Sequence, residues 1–61
     1  MSNRLPATAK QRNAILYIGN TRFSPTDDVQ TVVARNLAKE NLTVAEASAL
    51  IRVLERLPAT S

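Results

Sequence analysis

Apolar residues recur along this chain at helical spacing in three stretches, and no long alternating run of apolar and polar residues indicates strands. Each stretch carries a stripe on one face: Gln11, Ala14, Ile15 and Ile18; Val29, Val32, Val33 and Leu37; and Ala47, Leu50, Ile51, Leu54 and Leu57. This pattern predicts an all-α domain of three helices.

The first helix is predicted over residues 8–19. Thr8 and Gln11 form a T-x-x-Q capping box, in which the two side chains satisfy free backbone N–H groups reciprocally. Gly19 or Asn20 can adopt the left-handed conformation that ends a helix. We therefore expect the chain to leave the helix there.

The second helix is predicted over residues 25–40. Ser24 is a helix-capping residue, and Pro25 suits the first helical position, where its missing N–H costs nothing. Asp27 and Asp28 would lie in the first turn, where negative charge favours the helix dipole. Asn41 is the expected left-handed stop.

The third helix is predicted over residues 43–57. Thr43 and Glu46 form a second capping box, and Leu42 can pack on Ala47 as a hydrophobic staple. The opening of this stretch is typical of the first helix of a DNA-reading helix-turn-helix. That motif needs a turn and a recognition helix afterwards, whereas here the apolar stripe continues until Pro58. One long scaffold helix is therefore predicted.

The short connection around Asn41 to Thr43 predicts that helices 2 and 3 form an antiparallel hairpin. The longer connection from Gly19 to Ser24 would let helix 1 cross over them, with Phe23 tucked under the core. We expect one domain over residues 1–61 with short flexible ends.

Composition argues against catalysis. The chain has no cysteine and no histidine, which removes disulfides, thiolate metal sites and the usual general base. Asp27 and Asp28 are adjacent, so a helix would point them about 100° apart and they would not form a catalytic pair. We therefore expect no enzyme activity, no cofactor and no metal site. The sequence also predicts no signal peptide and no membrane span, and we expect a cytoplasmic protein.

The positive charge lies in the first part of the chain. Residues 1–26 carry a net +4 with no acid, whereas residues 27–61 carry −1. The candidates for contacting phosphates or an acidic partner are the four cations of this part, Arg4, Lys10, Arg12 and Arg22. So small a surplus of positive charge is also typical of an ordinary solvated surface. Tyr17 shares a helix face with Lys10, so it either stacks on a base or packs at the domain edge.

Three positions do not fit a simple core. Asn36 interrupts the second stripe, so it either fixes register at a helix interface or remains in water. Val53 and Leu57 widen the third stripe, which indicates either a second subunit or a broader core within one chain. If they form an interface, we expect a two-fold homodimer.

Two motifs resemble a known small helical module: T-x-x-Q-x-x-x-I at Thr8, Gln11 and Ile15, and L-T-x-x-E-A-S-x-L-I from Leu42 to Ile51. The module is similar to short bacterial and phage proteins of unknown function, and also occurs appended to proteins of DNA recombination or replication. The resemblance covers residues 8–54 in outline and implies an association with nucleic-acid metabolism. It implies no role for any single residue.

Two functions follow as hypotheses. The first is a small accessory or regulatory protein that contacts nucleic acid through Arg4, Lys10, Arg12, Tyr17 and Arg22. Four phosphate contacts predict a log–log salt slope of about −3 to −4. The second is a protein-binding adaptor or inhibitor that acts through an apolar helix edge, with the basic half steering it to an acidic surface.

Overall fold

The computed structural model describes residues 5–60, which form three α-helices. Helix α1 spans Ala9–Arg22, α2 spans Val29–Ala38 and α3 spans Val44–Arg56. Within residues 5–60 the one β-type pairing is an isolated antiparallel bridge between Pro6 and Thr43. The prediction of an all-α, three-helix domain is confirmed.

Helices α1 and α3 begin where their capping boxes predict. The Thr8 hydroxyl accepts from the Gln11 N–H at 3.0 Å, and the Gln11 side chain accepts from the Thr8 N–H at 3.1 Å. Thr43 and Glu46 make the same reciprocal pair, with both distances 3.1 Å. The Thr43 backbone N–H that donates to the Glu46 carboxylate lowers its pKa from the ordinary value, and nearby Lys39 lowers it further. Both helix starts are therefore encoded locally.

Helix α1 continues through Gly19 and Asn20, so the predicted left-handed stop is wrong. No described residue has a positive φ, and α1 ends at Arg22, three residues later than predicted, before the extended Phe23. Gly19 lies where α2 crosses closely: a Cβ there would stand 3.4 Å from a Val33 methyl. Gly19 thus lies inside the helix, at its crossing with α2, and does not end the helix.

Helix α2 begins four residues later than predicted. Residues 24–28 form turns, in which the Asp27 N–H donates to the Ser24 carbonyl at 3.0 Å. The Asp27 carboxylate accepts from the Val29 N–H at 2.9 Å. Asp27 therefore provides the hydrogen bond at the start of α2 that the sequence predicts for Ser24. At its other end α2 leaves helical geometry at Lys39, without the left-handed Asn41 that was expected.

The last turn of α1 is completed by groups from elsewhere in the chain. Gln30 of α2 donates its side-chain amide to the Gly19 carbonyl at 2.7 Å. The backbone N–H of Thr60 donates to the Arg22 carbonyl at 2.8 Å, and the Thr60 hydroxyl accepts from Ser24. Terminal helix carbonyls need such partners because they have none within the helix. Both α2 and the chain after α3 therefore fix the end of α1.

The chain before α1 is also held. The Ala7 N–H donates to the Leu42 carbonyl, and the Val44 N–H donates to the Leu5 carbonyl, both at 2.8 Å. The sequence predicts a flexible end here, whereas residues 5–7 are hydrogen-bonded to the chain at the start of α3. The remaining terminal residues, 1–4 and 61, lie outside the described part of the chain.

Helix α1 is the central element, because it packs against both α2 and α3. Gln11 reaches the Val44 carbonyl at the start of α3, so these two helices run in the same direction. Gly19 contacts Val33, whereas Arg12 reaches Leu37, so α1 and α2 are antiparallel. The predicted packed hairpin of α2 and α3 is not shown, since no Cα atom of one helix lies within 8 Å of a Cα atom of the other.

The core is built from all three helices and the segments between them. Phe23 is buried, as predicted, although it caps α1 and does not sit in a long loop. Leu42 and Ala47 are both fully buried in the same cluster, as the staple predicts. The buried set is Ile15, Phe23, Val33, Leu42, Ala47 and Leu54.

Replacing Gly19 with alanine is expected to stabilise the domain by about 0.5–1 kcal/mol. Alanine loses less backbone entropy than glycine in a helix interior. The new Cβ would make ordinary van der Waals contact with Val33 and Gln30, with its nearest neighbour at 3.4 Å. Urea unfolding followed by circular dichroism would measure the change. Gly19→Leu is the contrasting variant, since its larger side chain must displace α2; equal stability of both variants would contradict the crossing.

Candidate interaction surfaces

Arg12, a candidate phosphate contact, is used within the fold. One of its terminal nitrogens donates to the Leu37 carbonyl at 3.0 Å, and the other donates to the Lys39 carbonyl at 3.1 Å. Both acceptors lie at the C-terminal end of α2, where the helix dipole favours a cation. The planar guanidinium suits such a pair of acceptors. Arg12 therefore joins α1 to the end of α2.

Arg22 makes the corresponding link to α3. One of its terminal nitrogens donates to the Leu57 carbonyl at 3.1 Å and to the Glu55 carbonyl at 3.4 Å. Its Nε is buried without a hydrogen-bond partner. Arg12, through both of its terminal nitrogens, and Arg22, through one, thus bind the ends of the two helices that flank α1.

Lys10 and Tyr17 lie on the exposed side of α1. Lys10 is exposed, and the Tyr17 side chain is 69% exposed. Spacings of three, four and three residues place Asn13 and Asn20 on the same side, and both are exposed. We call this set, Lys10, Asn13, Tyr17 and Asn20, the outer face of α1. Arg4, the remaining predicted cation, lies outside the described residues.

Sequence reasoning missed Asn13 and Asn20, although their spacing from Tyr17 was visible. The signal that could have identified this face is the absence of acidic residues from α1. Around the Tyr17 ring this leaves two amides and one cation. Leu16 is also 47% exposed beside this face. The outer face therefore combines one cation, two amides and one aromatic ring over about three helical turns, with the apolar Leu16 beside it.

The three candidate interface residues lie on two helices. Val53 is 52% exposed and Leu57 is 36% exposed, both at the edge of α3. Asn36 of α2 is half-buried, and its side-chain amide donates to the Val32 carbonyl at 2.8 Å. Val32, one turn away, is 48% exposed. Asn36 is thus hydrogen-bonded within its own helix, while Val53 and Leu57 leave apolar surface open.

Residues 5–60 offer no enclosed site. That part of the chain contains no pocket and no cluster of three or more potential metal-binding His, Cys, Asp or Glu side chains. No helix within it is long and apolar enough to cross a bilayer. The candidate sites described here are therefore open surfaces.

Comparison with known proteins adds no assignment: no family model, curated protein or solved structure matches this chain.

Proposed function

We propose that this chain is a small non-enzymatic accessory protein that contacts nucleic acid through the outer face of α1. The observation that carries the proposal is the row of exposed residues Lys10, Asn13, Tyr17 and Asn20 on a helix without acidic residues. The resemblance to modules associated with DNA metabolism points in the same direction.

Each group on this face has a matching contact on nucleic acid. The Lys10 ammonium pairs with a phosphate, which is the contact that gives most affinity. The Asn13 and Asn20 amides can each donate to and accept from the edge of adenine. The Tyr17 ring offers a stacking surface to an unpaired base. A helix that presents these groups over three turns can approach a groove or a single strand.

We expect fewer phosphate contacts than the four counted from the sequence. Arg12 uses both terminal nitrogens, and Arg22 uses one, to bind helix carbonyls, so we expect Lys10 and Arg4 to be the main phosphate-binding cations of the first 26 residues. Two contacts give a log–log salt slope of about −2, against −3 to −4 for four. The slope therefore tests which cations take part.

The test is fluorescence anisotropy with labelled single- and double-stranded DNA and RNA over a series of salt concentrations. Lys10→Gln is expected to weaken binding and make the slope shallower by about 1. Tyr17→Ala is expected to weaken binding to a single strand by about 1–3 kcal/mol, whereas Tyr17→Phe retains the stacking ring. Preference for duplex or single strand follows directly from the same titrations.

Arg35→Gln is the matched control for Lys10→Gln, because Arg35 is an exposed cation on α2 outside the outer face of α1. It removes the same charge, so it should change binding much less. Equal losses in the two variants would show diffuse electrostatic attraction and not a face-specific contact. Absence of binding at about 50 mM salt, where phosphate contacts are strong, would refute the proposal.

A second function is supported by a different observation, the exposure of Val53 and Leu57 at the edge of α3. A protein-binding adaptor or inhibitor would cover this apolar edge, and the basic part of the chain would steer it to an acidic partner. Co-purification of one cellular protein that Val53→Lys abolishes, together with failure to bind nucleic acid, would favour this function.

A further inference from the structure

Four exposed residues of α3 form a continuous row with a distinctive order. Glu46, Ala49, Val53 and Arg56 are spaced by three, four and three residues, the spacing that keeps side chains on one seam of a helix. All four are exposed, and Val53 is 52% exposed although it is apolar. We call this row the α3 seam. Its charge changes from negative to positive between its two ends, with apolar residues in the middle.

The α3 seam is complementary to itself when one copy is reversed. In an antiparallel pair related by a two-fold axis that crosses the seam midway between Ala49 and Val53, Glu46 of each copy faces Arg56 of the other. Ala49 of each copy then faces Val53 of the other, so a small residue meets a larger one at both central positions. The opposed helix dipoles also favour this direction. A parallel pairing would instead place Glu46 against Glu46 and Arg56 against Arg56.

We propose that the chain forms a two-fold homodimer through antiparallel pairing of the α3 seams. The occupant of this exposed edge is a second copy because charge, residue size and helix direction all match under one symmetry operation. Leu57, 36% exposed, borders the seam and extends its apolar part. Asn36, on α2, takes no part in the pairing. The dimer is independent of nucleic-acid binding by the outer face of α1.

The size of the seam sets the strength of the dimer. A standard interface buries about 800 Å² on each partner, which would be almost a fifth of the 4428 Å² surface of this chain. A seam of about three helical turns covers less than that. The dimer is therefore weak, with a dissociation constant on the order of 100 μM.

The test is sedimentation equilibrium of the full chain from about 10 μM to about 1 mM, a range that brackets the expected dissociation constant. The apparent mass is expected to rise from the 6.7 kDa monomer towards twice that value. Arg56→Glu places like charges together at both ends of the seam and should weaken dimerisation by about tenfold. Val53→Lys should abolish it, since it places charge in the apolar middle.

Arg35→Glu is the matched control, because it makes the same charge change at an exposed position on α2, away from the α3 seam. A mixture supplies the decisive result: the Glu46→Lys and Arg56→Glu chains should each self-associate about tenfold more weakly than the unmodified chain, but should form a heterodimer of about the original strength when combined. Circular dichroism checks that the Glu46→Lys chain, which loses a capping contact, remains helical. A monomer at about 1 mM, or equal effects of Arg35→Glu and Arg56→Glu, would overturn the proposal.

Discussion

Replacing Phe23 with alanine is expected to remove about half or more of the domain's stability. The side chain is 2% exposed and lies in the core with Ile15 and Leu54. A Phe→Ala change in a core costs about 3–5 kcal/mol through lost burial and the cavity left behind. A domain of this length has a total stability of about 3–9 kcal/mol. Thermal unfolding by circular dichroism should show a low, broad transition or none.

Tyr17→Ala is the control for this variant. It removes a similar ring from α1, the helix that Phe23 caps, but the Tyr17 side chain is 69% exposed. Surface changes of this kind usually alter stability by less than about 0.5 kcal/mol. If both variants melt within a few degrees of each other, Phe23 does not contribute to the core as described.

The starts of α1 and α3 could be predicted because their signals are local. Each capping box needs only two side chains three residues apart, and both pairs form as the sequence indicates. The start of α2 was misplaced because Ser24 and Pro25 favour a turn as well as a helix. The Ser24 N–H donates to the Thr60 hydroxyl, 36 residues away, a contact that local reasoning does not reveal.

The helix ends and the packing could not be predicted, because they depend on distant residues. Gly19 looked like a stop, yet α2 crosses there and Gln30 binds its carbonyl. The short α2–α3 connection suggested a hairpin, whereas both helices pack on α1 instead. Local propensity is a weak guide where tertiary contacts supply the missing hydrogen bonds.

The candidate surface was foreseen in part. Helical spacing correctly placed Lys10 and Tyr17 together on an exposed face. Helical spacing could not distinguish Lys10 from Arg12 and Arg22. The sequence pattern of a helix is the same whether a cation faces solvent or binds the end of a neighbouring helix. That distinction depends on where α2 and α3 terminate, which α1 itself helps to fix.

Replacing Arg12 with alanine is expected to destabilise the domain by about 1.5–3 kcal/mol, the range for hydrogen bonds to a charged group. The carbonyls of Leu37 and Lys39 would lose their donors at 3.0 and 3.1 Å, and the end of α2 would lose a favourable cation. A loss of 2 kcal/mol lowers the melting temperature by about 8–16 °C in a domain of this size. Differential scanning calorimetry would measure it.

Arg12→Lys separates geometry from charge, because lysine keeps the positive charge but lacks the planar pair of donors. We expect it to recover part of the loss and not all of it. Arg35→Ala, at an exposed position in the last turn of α2, controls for removal of a cation near that helix end. If Arg12→Ala and Arg35→Ala are equally stable, the link from α1 to α2 contributes nothing.

If Arg12→Ala is destabilised as expected, any loss of nucleic-acid binding in that variant must be measured below its melting temperature. Otherwise it would report unfolding, and Lys10→Gln remains the variant that tests the contact itself.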